Sequence, residues 1–355
     1  MASIQKRPNG KWRARYRDND GKEHARHFEF KNNPRKPSES AQHWLDAETA
    51  ALNRDDWVEP ANRDITVAQW GERWLEGYAR HRASTLRQAR THVKRITNHF
   101  GTRKLRAVKP SDVHDWIVAL QEEGLADSTI YALHSRLAQL YSDAIHEGIL
   151  TKAPTSRKTA PKQGSQRPYL ATTEQVWALY DAMPDYARKG ILLGAFAGLR
   201  VAEAVVFQPV HVDAEEHVLH PTIQHPAEPL KTETSKTEIP VPPELTKMLL
   251  DGVAGETVPF VLGAFGRPVS PYRFEDMFRV ARAKVHGLPN GFRFHDLRHY
   301  FASLLIAGGL DIKTVQKRVR HASAKTTLDT YGHMFPDKDE SARAVIADAI
   351  LTRAD

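Results

Sequence analysis

His295-Asp296-Leu297-Arg298-His299, His321-Ala322-Ser323 and Thr330-Tyr331-Gly332-His333 lie near the end of a chain of 355 residues. On a helix, His295 and Arg298 are i,i+3 neighbours and share a face. Upstream, Gly198-Leu199-Arg200-Val201-Ala202-Glu203 follows the apolar run Ile191 to Phe196, so the glycine ends one helix and Arg200 opens the next. Burying an arginine in such apolar text is unfavourable unless an anion pairs with it. Glu203, three residues on, is one candidate anion, and a phosphate is the other.

Together these motifs resemble the tyrosine recombinase or phage integrase family, in which an arginine, a lysine, a His-x-x-Arg pair, a histidine or tryptophan and a nucleophilic tyrosine surround one scissile phosphate. In this sequence Arg200 matches the first arginine, His295 and Arg298 the pair, His321 the next position, and Tyr331 the nucleophile ten residues later. The family's lysine sits on a β-hairpin between the two arginines. Lys231, in Leu230-Lys231-Thr232 ahead of Glu238-Ile239-Pro240-Val241, matches it, and Lys236 is a second lysine in the same hairpin. Arg320 stands where the pattern often has glycine. The resemblance covers residues 169–355. It implies a site-specific DNA recombinase, an integrase of a phage or other mobile element, that works without cofactor or metal through a 3′-phosphotyrosine intermediate. It also implies double-stranded DNA attachment sites as substrate, a homotetramer on DNA, a DNA-bending host factor and a directionality factor as partners, and a bacterial cytoplasm or nucleoid as the setting.

The residue types suit this chemistry on their own terms. A tyrosine hydroxyl with a pKa near ~10 is ionised in roughly one molecule in a thousand at neutral pH, so attack on a phosphodiester needs a proton acceptor or a positive field beside it. Arg200 and Arg298 offer planar forks of N–H donors to the non-bridging oxygens, which a lysine cannot do bidentately. His321 is expected to donate a further hydrogen bond, Lys231 to protonate the leaving 5′ oxygen, and His295 to assist proton transfer with Tyr331. Glu203 and Asp296 are expected to hold the arginines in place, and His299 to be a structural helix residue. His295 and His299 have the spacing of a zinc pair, but Asp296 replaces the glutamate of the metalloprotease motif and Arg298 sets a cation beside any metal.

Further outward, residues 1–58 read as a β-β-α module. Lys11 to Tyr16 and Glu23 to Phe30 alternate with period two, Asp18-Asn19-Asp20-Gly21 joins them as a hairpin, and Ser38 to Trp57 carries Ala41, Trp44, Leu45, Ala51 and Leu52 at helical spacing. The strands leave Arg13, Arg15 and Arg26 to line one face that can enter a DNA groove. Residues 64–150 read as four helices, with Ser84 capping the second, Pro110-Ser111-Asp112 starting the third and Asp127-Ser128 the fourth. The second exposes Arg87, Arg90, Lys94 and Arg95, and Arg103, Lys104 and Arg106 follow in a loop. Residues 151–168, with three prolines and five positive charges, read as a basic linker that cannot pack. The last domain, residues 169–355, is expected to hold helices near 173–182, 186–197 and 201–207, a short sheet near 217–241, and more helices to the end, with Tyr169 and Trp177 in its core. Its tail carries Ala344, Val345, Ile346, Ala349, Ile350 and Leu351 on one helical face, able to pack in cis or on a neighbouring subunit. The fold class is multidomain and mainly α with small β-sheets. By the resemblance, the parts are an arm-binding module, a core-binding domain and an α+β catalytic domain.

Charge supports a nucleic-acid partner. The net +8 hides segments 1–36, 80–109 and 152–167, which together carry +22 and leave −14 elsewhere. The absence of cysteine excludes disulfides and fits a reducing cytoplasm. No signal-peptide core opens the chain and no run of about 18 apolar residues follows, so a soluble intracellular protein is expected. Three rivals stand beside the integrase reading. A resolvase-like or chromosome-dimer recombinase usually lacks an arm module such as residues 1–58. A non-catalytic DNA-binding regulator has no chemical reason to keep all six matched side chains. A metal-dependent nuclease needs a carboxylate cluster for magnesium that this sequence lacks.

Overall fold

Alternation of apolar and charged residues builds the first sheet. A computed structural model describes residues 2–54, 56–164, 168–230, 233–253, 255–335 and 346. β1 (Ser3–Lys6), β2 (Trp12–Arg17) and β3 (Glu23–Phe28) pair antiparallel in that order, so the N-terminal module has a strand more than the β-β-α reading expected. Ala14, Tyr16 and Phe28 pack on Ala41 and Leu45 of α1 (Ala41–Asn53). The register pairs Ala14 with Arg26 and Arg13 with His27. Directly paired residues share a face, so Arg26 lies on the Ala14 side, 5.3 Å over the Phe28 ring, and not beside Arg13 and Arg15 as expected. On the opposite face Glu23 accepts from Arg13 at 3.0 Å and from Arg15 at 3.4 Å.

The helical stretch folds as α2 (Val67–Tyr78), α3 (Ala83–Phe100), α4 (Pro110–Glu122) and α5 (Asp127–His146). Arg82 is the N-cap of α3, so Ser84 lies inside the helix and does not cap it. Trp70, Ile96, Phe100, Trp116 and Leu137 fill the centre, each stabilising by about 1.5–3 kcal/mol or more. The buried Trp70 indole N–H donates to the Leu140 carbonyl at 2.9 Å. Glu48 of α1 ties β2 to the segment that follows the N-terminal module, through Trp57 and Arg63. It accepts from Tyr16 Oη at 2.9 Å and Trp57 Nε1 at 3.0 Å, and both of its oxygens take Arg63 N–H donors, at 2.5 and 2.6 Å. Burial pushes this carboxyl up, and Arg63 with the other donors outweighs that and holds it below the usual range.

Residues 151–168 do not behave as an unpacked linker throughout. Pro154 and Thr159 are buried, and Thr159 Oγ1 lies 3.0 Å from the Nε2 of buried His134 in α5. The composition hid this contact, because a single turn that satisfies its own Ser156 and Thr159 groups can lie against a helix without aromatic residues. Residues 1–165 form one compact unit and 166–355 a second.

In the second unit, α6 (Thr173–Ala182) precedes α7 (Lys189–Ala197), which is apolar on every side and buried. Gly190 and Gly194 let Phe274 and Phe294 press on its backbone, where a Cβ would meet their rings at 2.6 and 2.7 Å. α8 spans only Val201–Ala204, shorter than the expected 201–207, and short strands follow. β4 (Val212–Asp213), β5 (Val218–Leu219) and β8 (Ile239–Pro240) form one sheet, and β6 (Ile223–Gln224) with β7 (Glu228–Pro229) a second. Then come α9 (Pro243–Leu250), α10 (Pro271–Arg282), α11 (Phe294–Ala307), α12 (Ile312–Arg318) and α13 (Ala324–Tyr331). Tyr169 and Trp177 sit at the surface, not in the core, at 39% and 36% exposure. The expected tail helix lies outside the described residues apart from Ile346. Among the described residues no helix is long and apolar enough to cross a membrane.

Candidate active site

Gly198 sets the geometry of the site. It ends α7 at φ 62°, and a Cβ there would strike the Phe301 ring of α11 at 2.6 Å. This close approach brings the Arg298 side chain of α11 to the Gly198 carbonyl, which accepts from Nη1 at 2.5 Å. The same turn delivers Arg200 as the N-cap residue of α8, where its Nη1 donates to Glu203 Oε1 at 2.9 Å. Arg298 is 2% exposed, and its Nη2 has no hydrogen-bond partner among the described residues. Burial, then the charges of Arg200 and Arg320, pulls its pKa down to about 9, which leaves it protonated at neutral pH. A buried guanidinium with an unsatisfied donor is suited to an anion.

Ser323 caps α13, accepting from the Thr326 N–H at 3.3 Å, and the helix then carries Tyr331 about two turns on. The tyrosine is 1% exposed. Its hydroxyl lies 2.7 Å from His299 Nδ1, and the His321 ring stacks parallel to it at 6.3 Å. His321 Nδ1 is itself held 3.0 Å from Thr327 Oγ1. Burial pushes the Tyr331 phenol up to about 12 against the opposing field of Arg298. Burial, followed by the neighbouring charges, lowers His299 and His321 to about 4 and lowers His295 as well. The imidazoles are therefore neutral at pH 7, and the His299 nitrogen facing Tyr331 can accept its proton.

Arg200, His295, Arg298, His321 and Tyr331 all belong to elements that meet here, but two roles differ from expectation. His299, expected to be structural, holds the tyrosine hydroxyl; His295 stands edge-on to the His299 ring at 5.2 Å. Asp296, expected to hold an arginine guanidinium, accepts from the Arg293 backbone N–H at 2.6 Å, and its Oδ1 lies 3.9 Å from His299 Nε2. The helical register carried the missed signal, since a residue four after His295 returns to the same face. Glu203 does hold arginines, and they are Arg200 and Arg320. Burial raises its pKa, but Arg320 and Arg200 outweigh that and keep it ionised. Lys231 lies outside the described residues. Lys236 ends the turn Glu233–Lys236, next to Ser235, whose Oγ is 3.4 Å from Arg200 Nη1.

Outside this site, Arg87, Arg90 and Lys94 share an exposed face of α3 and have no carboxylate partner among the described residues. Arg95 turns aside to Glu123, Arg103 pairs with Asp112, and Lys104 and Arg106 pair with Asp64.

The family model described as Phage integrase family matches residues 170–338. A protein named as a prophage phiRv2 integrase of Mycobacterium tuberculosis is 24% identical over 360 residues, covering 95% of this chain and 92% of its own. In fold, the Tn1549 transposon integrase in complex with transposon right end DNA superposes with a TM-score of 0.68 at 19% identity, over 81% of this chain and 100% of that one. Lambda integrase, solved as a tetramer bound to a Holliday junction, superposes with a TM-score of 0.59 at 21% identity, over 90% and 96%. With the buried arginines and the tyrosine gathered in the matched region, residues 170–338 are a catalytic region of the phage integrase family, that of the tyrosine-type site-specific recombinases.

Proposed function

We propose that this recombinase integrates or excises a phage or other mobile element by cutting and rejoining DNA through Tyr331. The observation that carries the reading is the Tyr331 hydroxyl held 2.7 Å from His299 Nδ1, in the same cluster as the buried Arg298 guanidinium. Tyr331 Oη attacks the phosphorus, and the new P–O bond replaces the bond to the 5′ oxygen. The phenol proton passes to His299 Nδ1, and the leaving oxygen takes a proton from the hairpin lysine, Lys231 or Lys236. Tyr331 holds its proton far more tightly than His299, so the proton moves as the P–O bond forms and not ahead of it. Arg200, Arg298 and His321 hold the non-bridging oxygens, and His295 acts on Tyr331 through the His299 ring it stands against. The phosphotyrosine ester conserves the energy of the broken bond, and attack by another 5′ hydroxyl reverses the step.

Residues 64–150 grip the core site through Arg87, Arg90 and Lys94, and residues 1–58 take a separate arm site through Arg13 and Arg15. The lambda integrase tetramer bound to a Holliday junction supports a four-subunit complex on DNA; a DNA-bending host factor and a directionality factor join it on the strength of the family resemblance alone. Strand exchange between attachment-site duplexes tests the proposal. The wild type exchanges strands, and Tyr331→Phe binds them without exchange; exchange by the Phe variant refutes it.

A further inference from the structure

Arg320 occupies a backbone position suited to glycine. α12 ends with the His321 N–H donating to the Gln316 carbonyl at 3.1 Å and the Arg320 N–H to the Lys317 carbonyl at 3.0 Å, and Arg320 takes φ 51°. This is a Schellman turn, whose left-handed residue is strained when it bears a side chain. The guanidinium is also fully buried, a second unfavourable placement. Its side-chain partners lie in the active site. Nη2 donates to Glu203 Oε2 at 2.5 Å, and Nη1 to the Ser235 carbonyl at 2.8 Å. Arg200 uses the other halves of the same two residues, Glu203 Oε1 at 2.9 Å and Ser235 Oγ at 3.4 Å.

We infer that Arg320 is a positioning residue for recombination, cancelling the Glu203 charge and tying down the hairpin turn so that Arg200 meets the scissile phosphate as a net cation. Charge balance gives the reason. With Glu203 as its sole partner, Arg200 forms a closed ion pair of zero net charge, a poor ligand for a phosphodiester. With Arg320 on the second carboxylate oxygen the trio carries one positive charge. Arg200 is the accessible arginine of the three groups, its side chain 38% exposed against 0% for Arg320. The bond to the Ser235 carbonyl also fixes the turn Glu233–Lys236, which bears one of the two candidate lysines. The inference rests on the assignment of Arg200 to the phosphate.

Single-turnover cleavage of a nicked attachment-site duplex tests it, using Arg320→Gly, Arg320→Lys, Arg320→Gly combined with Glu203→Gln, and Arg200→Ala as a reference. Glycine relieves the left-handed turn, and thermal melting with core-site binding monitors folding. Arg320→Gly is expected to bind DNA normally and cleave about tenfold to a hundredfold more slowly. Adding Glu203→Gln removes the uncancelled carboxylate and should recover about tenfold. A merely structural role gives the reverse order, the double variant slower than the single. If Arg320→Gly cleaves within about twofold of wild type while Arg200→Ala is inactive, the inference falls. If Arg200→Ala cleaves normally, the phosphate assignment itself is wrong. Should the glycine variants not fold, Arg320→Lys decides: cleavage within about tenfold of wild type supports the charge argument, and cleavage as low as that of Arg200→Ala overturns it.

Discussion

Replacing His299 with Phe removes the nitrogen that faces Tyr331 and keeps a ring in the space. The phenol, pushed up to about 12, is then ionised in about one molecule in a hundred thousand at pH 7, with no acceptor at 2.7 Å to take its proton during attack. Loss of a positioned proton acceptor slows a reaction by about a hundredfold to ten-thousandfold, so the variant should cleave a nicked duplex that much more slowly at neutral pH. Its rate should climb about tenfold per pH unit between roughly pH 7 and 8, following the phenolate and staying below the Arg298 value of about 9. The wild type should stay flat over that range, because His299 titrates near 4. Stability gives an independent sign. His299 binds its proton less readily folded than unfolded, so its contribution is complete above the ordinary value of 6.5 and is lost as the pH falls toward about 4. The variant should lose less stability than the wild type over that acid window, while the orphaned phenol costs about 1–3 kcal/mol at neutral pH. Single-turnover rates across pH, with thermal melts alongside, measure both. A His299→Phe enzyme that cleaves within about threefold of wild type with a flat profile refutes the proton-acceptor role.

Arg298→Lys keeps a charge but cannot hold the Gly198 carbonyl and a phosphate with two coplanar donors, so cleavage should fall by about a hundredfold or more while core-site binding persists in a gel-shift assay. Gly198→Ala puts a Cβ into Phe301 at a left-handed turn, and chemical denaturation should show the second unit destabilised by about 2 kcal/mol or more. Glu48→Ala leaves Arg63 without its carboxylate and Tyr16 and Trp57 without their acceptor, which should cost about 3–5 kcal/mol in the first unit, read by its melting transition.

The active site was legible where short spacing carries chemistry: His295 and Arg298 share a helix face, and Gly198 ends one helix before Arg200 opens the next. Partnerships across long separations were not. His299 meets Tyr331 from another helix, and nothing near Arg320 in the sequence announces that its charge is buried against Glu203. The Arg13, Arg15 and Arg26 face failed for a related reason: period two says that neighbours alternate, but only the strand register shows that Arg26 falls opposite Ala14. β1 escaped because Ser-Ile-Gln-Lys is too short to carry a pattern of its own. Residues 151–164 were misread because their contact rests on Thr159 meeting His134 and not on apolar bulk.

The most direct test of the account is chemical identification of the residue that becomes joined to DNA. A nicked attachment-site duplex traps the cleaved intermediate, and nuclease and protease digestion followed by mass spectrometry locates the phosphorylated side chain. The account predicts a phosphate ester on Tyr331 linked to a 3′ nucleotide, with a free 5′ hydroxyl on the departing strand. An adduct on any other residue, a linkage to a 5′ phosphate, or cleavage with no covalent adduct contradicts it.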